Sequence, residues 1–249
     1  MVGNGAIVNL PTKRRGDHAP LPAYDAPRLR QLPLWYIVQR GAGMLTTPRL
    51  IVIALCAALN FSIGTIVYLI KLPIYLDSIG TILCALLLAS DRKVAFVCAW
   101  LAATVSTVIS ILINPFIPWF ALTDMTIALV SAFATSTAVA IFRARPMHAG
   151  AFVGRVVLYG VLTGIAAGIV SALIVAYVFG GVTGSGSAAI VAFYLRLGFT
   201  VETASLLSGL TIEPIDKTLQ VLLAALLYRA TPRDFLVMLQ APTPAAEAR

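Results

Sequence analysis

The chain has 249 residues, of which 59% are hydrophobic and only 11% charged, whereas an average soluble domain is about one quarter charged. So few charges cannot cover a water-facing surface, so composition excludes one or two ordinary soluble domains and assigns an integral membrane protein. The net charge of +8 is not a nucleic-acid signal, because Lys and Arg collect near the N-terminus and in short connections, as membrane topology requires.

Residues 1–48 are rich in Pro and Arg, with Lys13-Arg14-Arg15, Arg28, Arg30 and Arg40. This composition reads as a basic, largely disordered cytoplasmic extension. Within it, Leu29 to Arg40 mixes basic residues with Leu32, Leu34, Trp35, Tyr36 and Ile37, a pattern suited to the membrane surface. No continuous apolar core precedes the first long run, so that run is expected to direct insertion.

Six apolar segments follow over residues 49–232: Leu50–Ile70, Leu76–Ser90, Val94–Ile113, Phe120–Phe142, Val156–Phe179 and Pro214–Tyr228. The second and sixth are short against the roughly 20 residues that cross a bilayer. Residues 233–249 form a short tail. The expected fold is an all-α, six-transmembrane-helix bundle. Fifteen of the 18 Lys and Arg fall on the side of the two termini, leaving Lys71, Arg196 and Lys217 on the other. That asymmetry puts both termini in the cytoplasm. The outer side carries five acids, Asp77, Asp124, Glu202, Glu213 and Asp216, close to segment ends. Polar groups gathered at the outer mouth of a bundle suggest a ligand site.

Ala54 and Ala58 share one face of the first helix. Small residues at that spacing let another helix approach closely, either within the bundle or from a partner subunit. Asn60, deep in the same helix, needs a polar partner, which is a ligand or a neighbouring helix. Asp77 is placed to cap the second helix, and ligand or ion-pair contact is the competing role. Asp124 stands just inside the fourth segment, where an ionisable group is a functional candidate. Gly160, Gly164 and Gly168 form a ladder that serves internal packing or a partner seam, and the sequence leaves both open. Residues 180–212 form the longest connection, glycine-rich at first, with a short helix expected over Val201–Leu210. A connection of that length acts as a binding loop or as a passive link. Glu213-Pro214-Ile215-Asp216-Lys217 opens the sixth segment, with proline suited to a first turn. Lys217 there opposes the helix dipole. It calls for an acidic partner, Asp77 first and Asp124 second, or for an anionic ligand.

Enzyme chemistry finds little support. There is no GxxxxGK[ST] phosphate loop, and His18 and His148 have no metal-ligand spacing or nucleophile pattern nearby. Cys56, Cys84 and Cys98 lie in apolar runs without paired spacing and read as packing residues. No metal or cofactor is expected.

Leu72-Pro73-Ile74-Tyr75-Leu76-Asp77-Ser78-Ile79-Gly80-Thr81-Ile82 resembles the signature after the first helix in one group of substrate-binding S components of energy-coupling factor (ECF) transporters. Asp216-Lys217-Thr218-Leu219-Gln220-Val221-Leu222 resembles that group's final helix, and Ala54 with Ala58 matches the AxxxA stripe of S components. The likeness spans about Arg49 to Pro232. Where many relatives continue the second helix with a Gly-Pro pair, this chain has Leu88-Ala89-Ser90-Asp91-Arg92, which changes the turn and not the class. The resemblance implies a subunit of the bacterial or archaeal cell membrane that captures a vitamin or related micronutrient at the outer face. It would deliver that substrate inward with a membrane T subunit and two cytosolic ATPase subunits, toppling in the bilayer to do so. By location, Tyr75, Asp77, Asn114, Trp119, Asp124 and Lys217 would meet substrate, and Ala54 and Ala58 would meet the T subunit. Tyr75, Trp119 and Tyr194 suit stacking on a planar ring such as a flavin or pterin, as well as anchoring at the interface. Riboflavin is the expected substrate within the class. Two other classes compete. A membrane sensor would need an output domain, which neither terminal stretch supplies. A self-sufficient secondary transporter would need internal symmetry that the chain does not show.

Overall fold

The computed structural model describes residues 44–143 and 149–240, except for the side chains of 134–143, 149 and 240. The basic stretch expected to be disordered lies outside the described residues up to position 43, as does the tail from 241. Among the described residues the chain is all helical. The elements are α1 (Thr47–Leu69), α2 (Ile79–Leu87), α3 (Arg92–Ser110), a 3-10 turn (Ile117–Phe120), α4 (Ala121–Arg143), α5 (Ala149–Tyr177), α6 (Ser187–Arg196), α7 (Val201–Ala230) and α8 (Arg233–Gln240). Helices therefore occupy all six apolar segments. Among the described residues three spans, Thr47–Leu69, Arg92–Ser110 and Gly150–Tyr177, are long and apolar enough to cross a membrane.

The outward faces of these helices are as apolar as the inward ones. α1 buries Val52, Ile53, Cys56, Ala57 and Asn60 on one side and exposes Leu50, Ile51, Leu55, Ile66 and Leu69 on the other. A helix that is apolar all round suits a lipid surround and not water. Ala54 and Ala58 lie on the exposed face.

At the centre sits α2. Ile79, Ile82, Cys84, Ala85, Leu86 and Leu87 are all buried. Its 9 residues rise only about 13 Å, less than half of a hydrocarbon core about 30 Å thick. α1, α3, α4 and α7 surround it. Gly80 makes the contact with α1 possible, because a side-chain carbon there would fall on the carbonyl of Cys56. On α3, Asp91 accepts from the backbone N–H groups of Lys93 (2.8 Å) and Val94 (3.3 Å), which sets the helix start.

α7 differs most from expectation. The short helix expected over Val201–Leu210 and the sixth helix expected from Pro214 are one helix of 30 residues. Thr200 starts it, its hydroxyl accepting from Thr203 N. Pro214 does not open a helix but stands inside one. The proline forfeits one helical bond, and tertiary packing outweighs that loss. α5 lies against α7 so closely that side-chain carbons at Gly160 and Gly164 would fall on the backbones of Thr218 and Pro214. The glycine ladder is thus internal packing between α5 and α7.

The tail from residue 233 begins with a short helix that packs on the bundle. α8 is amphipathic and inserts Leu236 and Leu239 into the core. Arg49, itself buried, ties it down through Nε to the carbonyl of Leu239 (3.4 Å) and through a guanidinium nitrogen to that of Met44 (3.1 Å).

Candidate functional site

Leu72 to Ser78 leaves α1 as an irregular strand of backbone between helices. Leu76 takes a left-handed conformation at φ 51°, costly for a residue with a side chain. What holds it there comes from α7. Oδ1 of Asp216 accepts the N–H groups of both Tyr75 and Leu76, each at 3.0 Å. One turn on, Oε1 of Gln220 accepts Ser78 N–H at 3.0 Å. From α1, Asn60 Oδ1 accepts Gly80 N–H at 2.6 Å and its amide donates to Thr81 Oγ1 at 2.9 Å. Two of the open donors at the start of α2, the N–H groups of Ser78 and Gly80, are therefore taken by side chains of other helices.

This arrangement corrects the expected cap. Asp77 is not the N-cap of α2. Ser78 holds that position without a side-chain bond, and Asp77 Oδ1 accepts from Ser78 Oγ at 3.0 Å. With its backbone neighbours already bonded, the Asp77 carboxylate is left to face the cavity described below.

Glu213, Asp216, Lys217 and Gln220 lie on one face of α7, all buried. The Lys217 ammonium is 2.7 Å from Asp216 Oδ2, 3.2 Å from Glu213 Oε2 and 3.8 Å from Asp77 Oδ1. Asp77 is thus the farthest of three acids, and Asp124 is not within ion-pair distance. Adjacent Asp216 can reach Lys217 because its other oxygen is committed to the Tyr75–Leu76 backbone. Gln220 Nε2 also donates to Asp216 Oδ2 at 2.7 Å.

These elements form one wall of a pocket that opens at one end of the bundle. The opposite wall is polar in an otherwise apolar pair of helices. Ser106, Thr107 and Ser110 of α3 face Thr123 and Asp124 of α4, and Thr107 Oγ1 donates to Asp124 Oδ2 at 2.8 Å. Asn114 lines the pocket and accepts Phe116 N–H at 3.1 Å. Thr183, Gly184 and Ser185 contribute from the glycine-rich connection, which Lys71 holds by donating from Nζ to Gly184 O at 2.5 Å. The α1–α2, α3–α4 and α5–α6 connections therefore meet at one end of the bundle, around the pocket mouth.

Aromatic rings complete the walls: Tyr68, Tyr75, Phe116 and Phe120. Trp119 is not brought to the pocket. It is exposed and meets Phe179 edge-on at 6.3 Å, on the outside of a cluster that Phe179 also makes with Phe116 and Phe120. Tyr194 is likewise elsewhere, its hydroxyl 3.1 Å from Thr211 Oγ1.

Of the expected residues, Tyr75, Asp77, Asn114, Asp124 and Lys217 converge on the pocket. Sequence reasoning counted Glu213 among the outer acids and gave it no individual site role. It also passed over the Ser106-Thr107-Ser110 stripe, although hydroxyls one turn apart in an apolar helix were a readable signal. Compared with family models, curated proteins and solved structures, the chain matches none.

Proposed function

We propose that this chain is the substrate-binding membrane subunit of an ECF-type importer. In that role it captures a small micronutrient in the pocket and delivers it inward with a T subunit and two ATPase subunits. The observation that carries the reading is the pocket itself. It is lined by convergent polar groups and aromatic rings and opens at one end of an apolar helical bundle. The exposed Ala54 and Ala58 offer a close-packing stripe for a T subunit. The absence of a phosphate loop from the sequence fits a division of labour with separate ATPases.

In this reading the chain crosses the cell membrane six times with both termini inside. The second crossing combines the irregular backbone of residues 72–78 with the short helix α2. Irregular backbone is tolerated at membrane depth only where its polar groups are satisfied inside protein. Asp216, Gln220 and Asn60 supply that satisfaction here. The pocket then faces outward, at the end poor in Lys and Arg.

Co-expression of the tagged chain with the T subunit and ATPases of its host tests the proposal. A stable four-part complex, with uptake that needs ATP hydrolysis, is the expected result. A chain that never co-purifies with them, or that drives uptake alone, overturns it.

A further inference from the structure

The pocket is not balanced in charge. Asp77, Asp124 and Glu213 line it, Asp216 stands directly behind Lys217, and Lys217 is the one cation among the lining residues. That ammonium is already shared among three carboxylates at 2.7, 3.2 and 3.8 Å. It is therefore engaged in holding α7 and the Leu72–Ser78 segment, and is not presented to an anion. Across the pocket, Asp124 has a hydroxyl from Thr107 and, among the described residues, no cation within ion-pair distance. A carboxylate in a desolvated wall without a counter-charge is expensive.

A second observation is independent of the acids. Thr123, next to Asp124 in the chain, is only 6% exposed. Among the described residues its hydroxyl has no hydrogen-bond partner, and Thr123 lines the same pocket. Buried hydroxyls are normally bonded, so this one leaves hydrogen-bonding capacity unused in the wall beside Asp124. The rings of Tyr68, Phe116 and Phe120 line the space beyond. Their faces favour a flat apolar body and a positive charge alike. A bare metal ion fits poorly, because no three His, Cys, Asp or Glu side chains among the described residues are grouped to hold one.

The geometry points to a small organic cation as the substrate: a protonated amine, amidine or nitrogen heterocycle that pairs with Asp124 and lays its ring against Tyr68, Phe116 and Phe120. This rests on the reading of the pocket as the substrate site. It replaces the neutral flavin expected from the sequence, and it reverses the anionic ligand that Lys217 alone would suggest.

Three isosteres decide it: benzamidine, benzamide and benzoate, which share a ring and differ in charge. Each is titrated into the purified full-length chain in nanodiscs and followed by saturation-transfer NMR. Molecules released from the protein by denaturation are identified by mass spectrometry. Benzamidine should bind at least about tenfold more tightly than benzamide, benzoate should be weakest, and any released molecule should carry a positive charge. Asp124→Asn should erase the preference for benzamidine over benzamide. The ranking is read on the wild-type chain, so it stands whether or not the variant folds. Equal or tighter binding of benzamide or benzoate overturns the cation inference and leaves the substrate-site reading intact. No binding by any of the three, with no molecule released, overturns the substrate-site reading as well.

Discussion

Asp216 holds Tyr75 by its backbone: Oδ1 accepts the Tyr75 N–H at 3.0 Å, and the next N–H, of Leu76, at the same distance. The carboxylate thereby fixes a left-handed residue in a segment that has no secondary structure of its own, while its second oxygen takes Lys217 and Gln220. One buried acid thus joins the sixth apolar segment to the first connection. Asp216→Ala should lower stability by about 3–5 kcal/mol, the usual effect of breaking a buried, hydrogen-bonded ion pair. Thermal unfolding in detergent measures it, and a loss below about 1 kcal/mol would show that the segment is held by other means.

Lys217 should couple more strongly to Glu213 than to Asp77. Both Lys217 and Glu213 are buried and lie 3.2 Å apart, while Asp77 is 3.8 Å away with its side chain 36% exposed. A double-mutant cycle of Lys217→Met with Glu213→Gln should give a coupling of about 1–3 kcal/mol. The same cycle with Asp77→Asn should give under about 1 kcal/mol, because solvent screens a partly exposed pair. The reverse order would mean that the ammonium sits nearer the pocket mouth than described.

The α5–α7 contact predicts opposite outcomes for two glycines on one helix. Gly164→Ala puts a carbon onto the backbone of α7 and should cost about 1–3 kcal/mol through overpacking. Gly154→Ala meets nothing within 4 Å and should stabilise by up to about 1 kcal/mol, from helix propensity alone. Melting temperatures of the two variants side by side check the contact, and equal shifts would refute it.

Ala54→Leu combined with Ala58→Leu fills an exposed face and should leave the fold and benzamidine binding unchanged. If that face docks a T subunit, co-purification of the complex should fall at least about tenfold, since close helix approach needs small residues. Assembly unaffected by the double change would remove the docking role from this stripe.

Arg49→Met removes both guanidinium bonds to the carbonyls of Leu239 and Met44. α8 should then be cut by limited proteolysis much faster than in the parent chain, while pocket binding, at the opposite end of α1, persists. Unchanged cleavage would mean that Leu236 and Leu239 hold the helix by burial alone.

The sequence by itself determined the membrane class and that helices occupy the six apolar segments. Apolar runs of sufficient length and a charged fraction too small for a water-facing surface are local properties, readable without any contact. The outer acids, Asn60 and Lys217 also stood out locally, because polar groups in apolar runs must find partners. Which partners they find is not local. Asp216 and Tyr75 are 141 positions apart, and Asn60 and Gly80 are 20 apart. For that reason Asp77 was expected to cap a helix that Asp216, Gln220 and Asn60 secure, and Asp77 turns to the pocket instead. Trp119 was placed by its neighbours in sequence and excluded by packing on Phe179. Pro214 reads as a helix start because it forfeits an N–H, yet α7 runs through it, since close contact with the glycines of α5 outweighs one missing bond. The tertiary structure decided these points because buried hydrogen bonds and backbone approach are satisfied between helices, not along them.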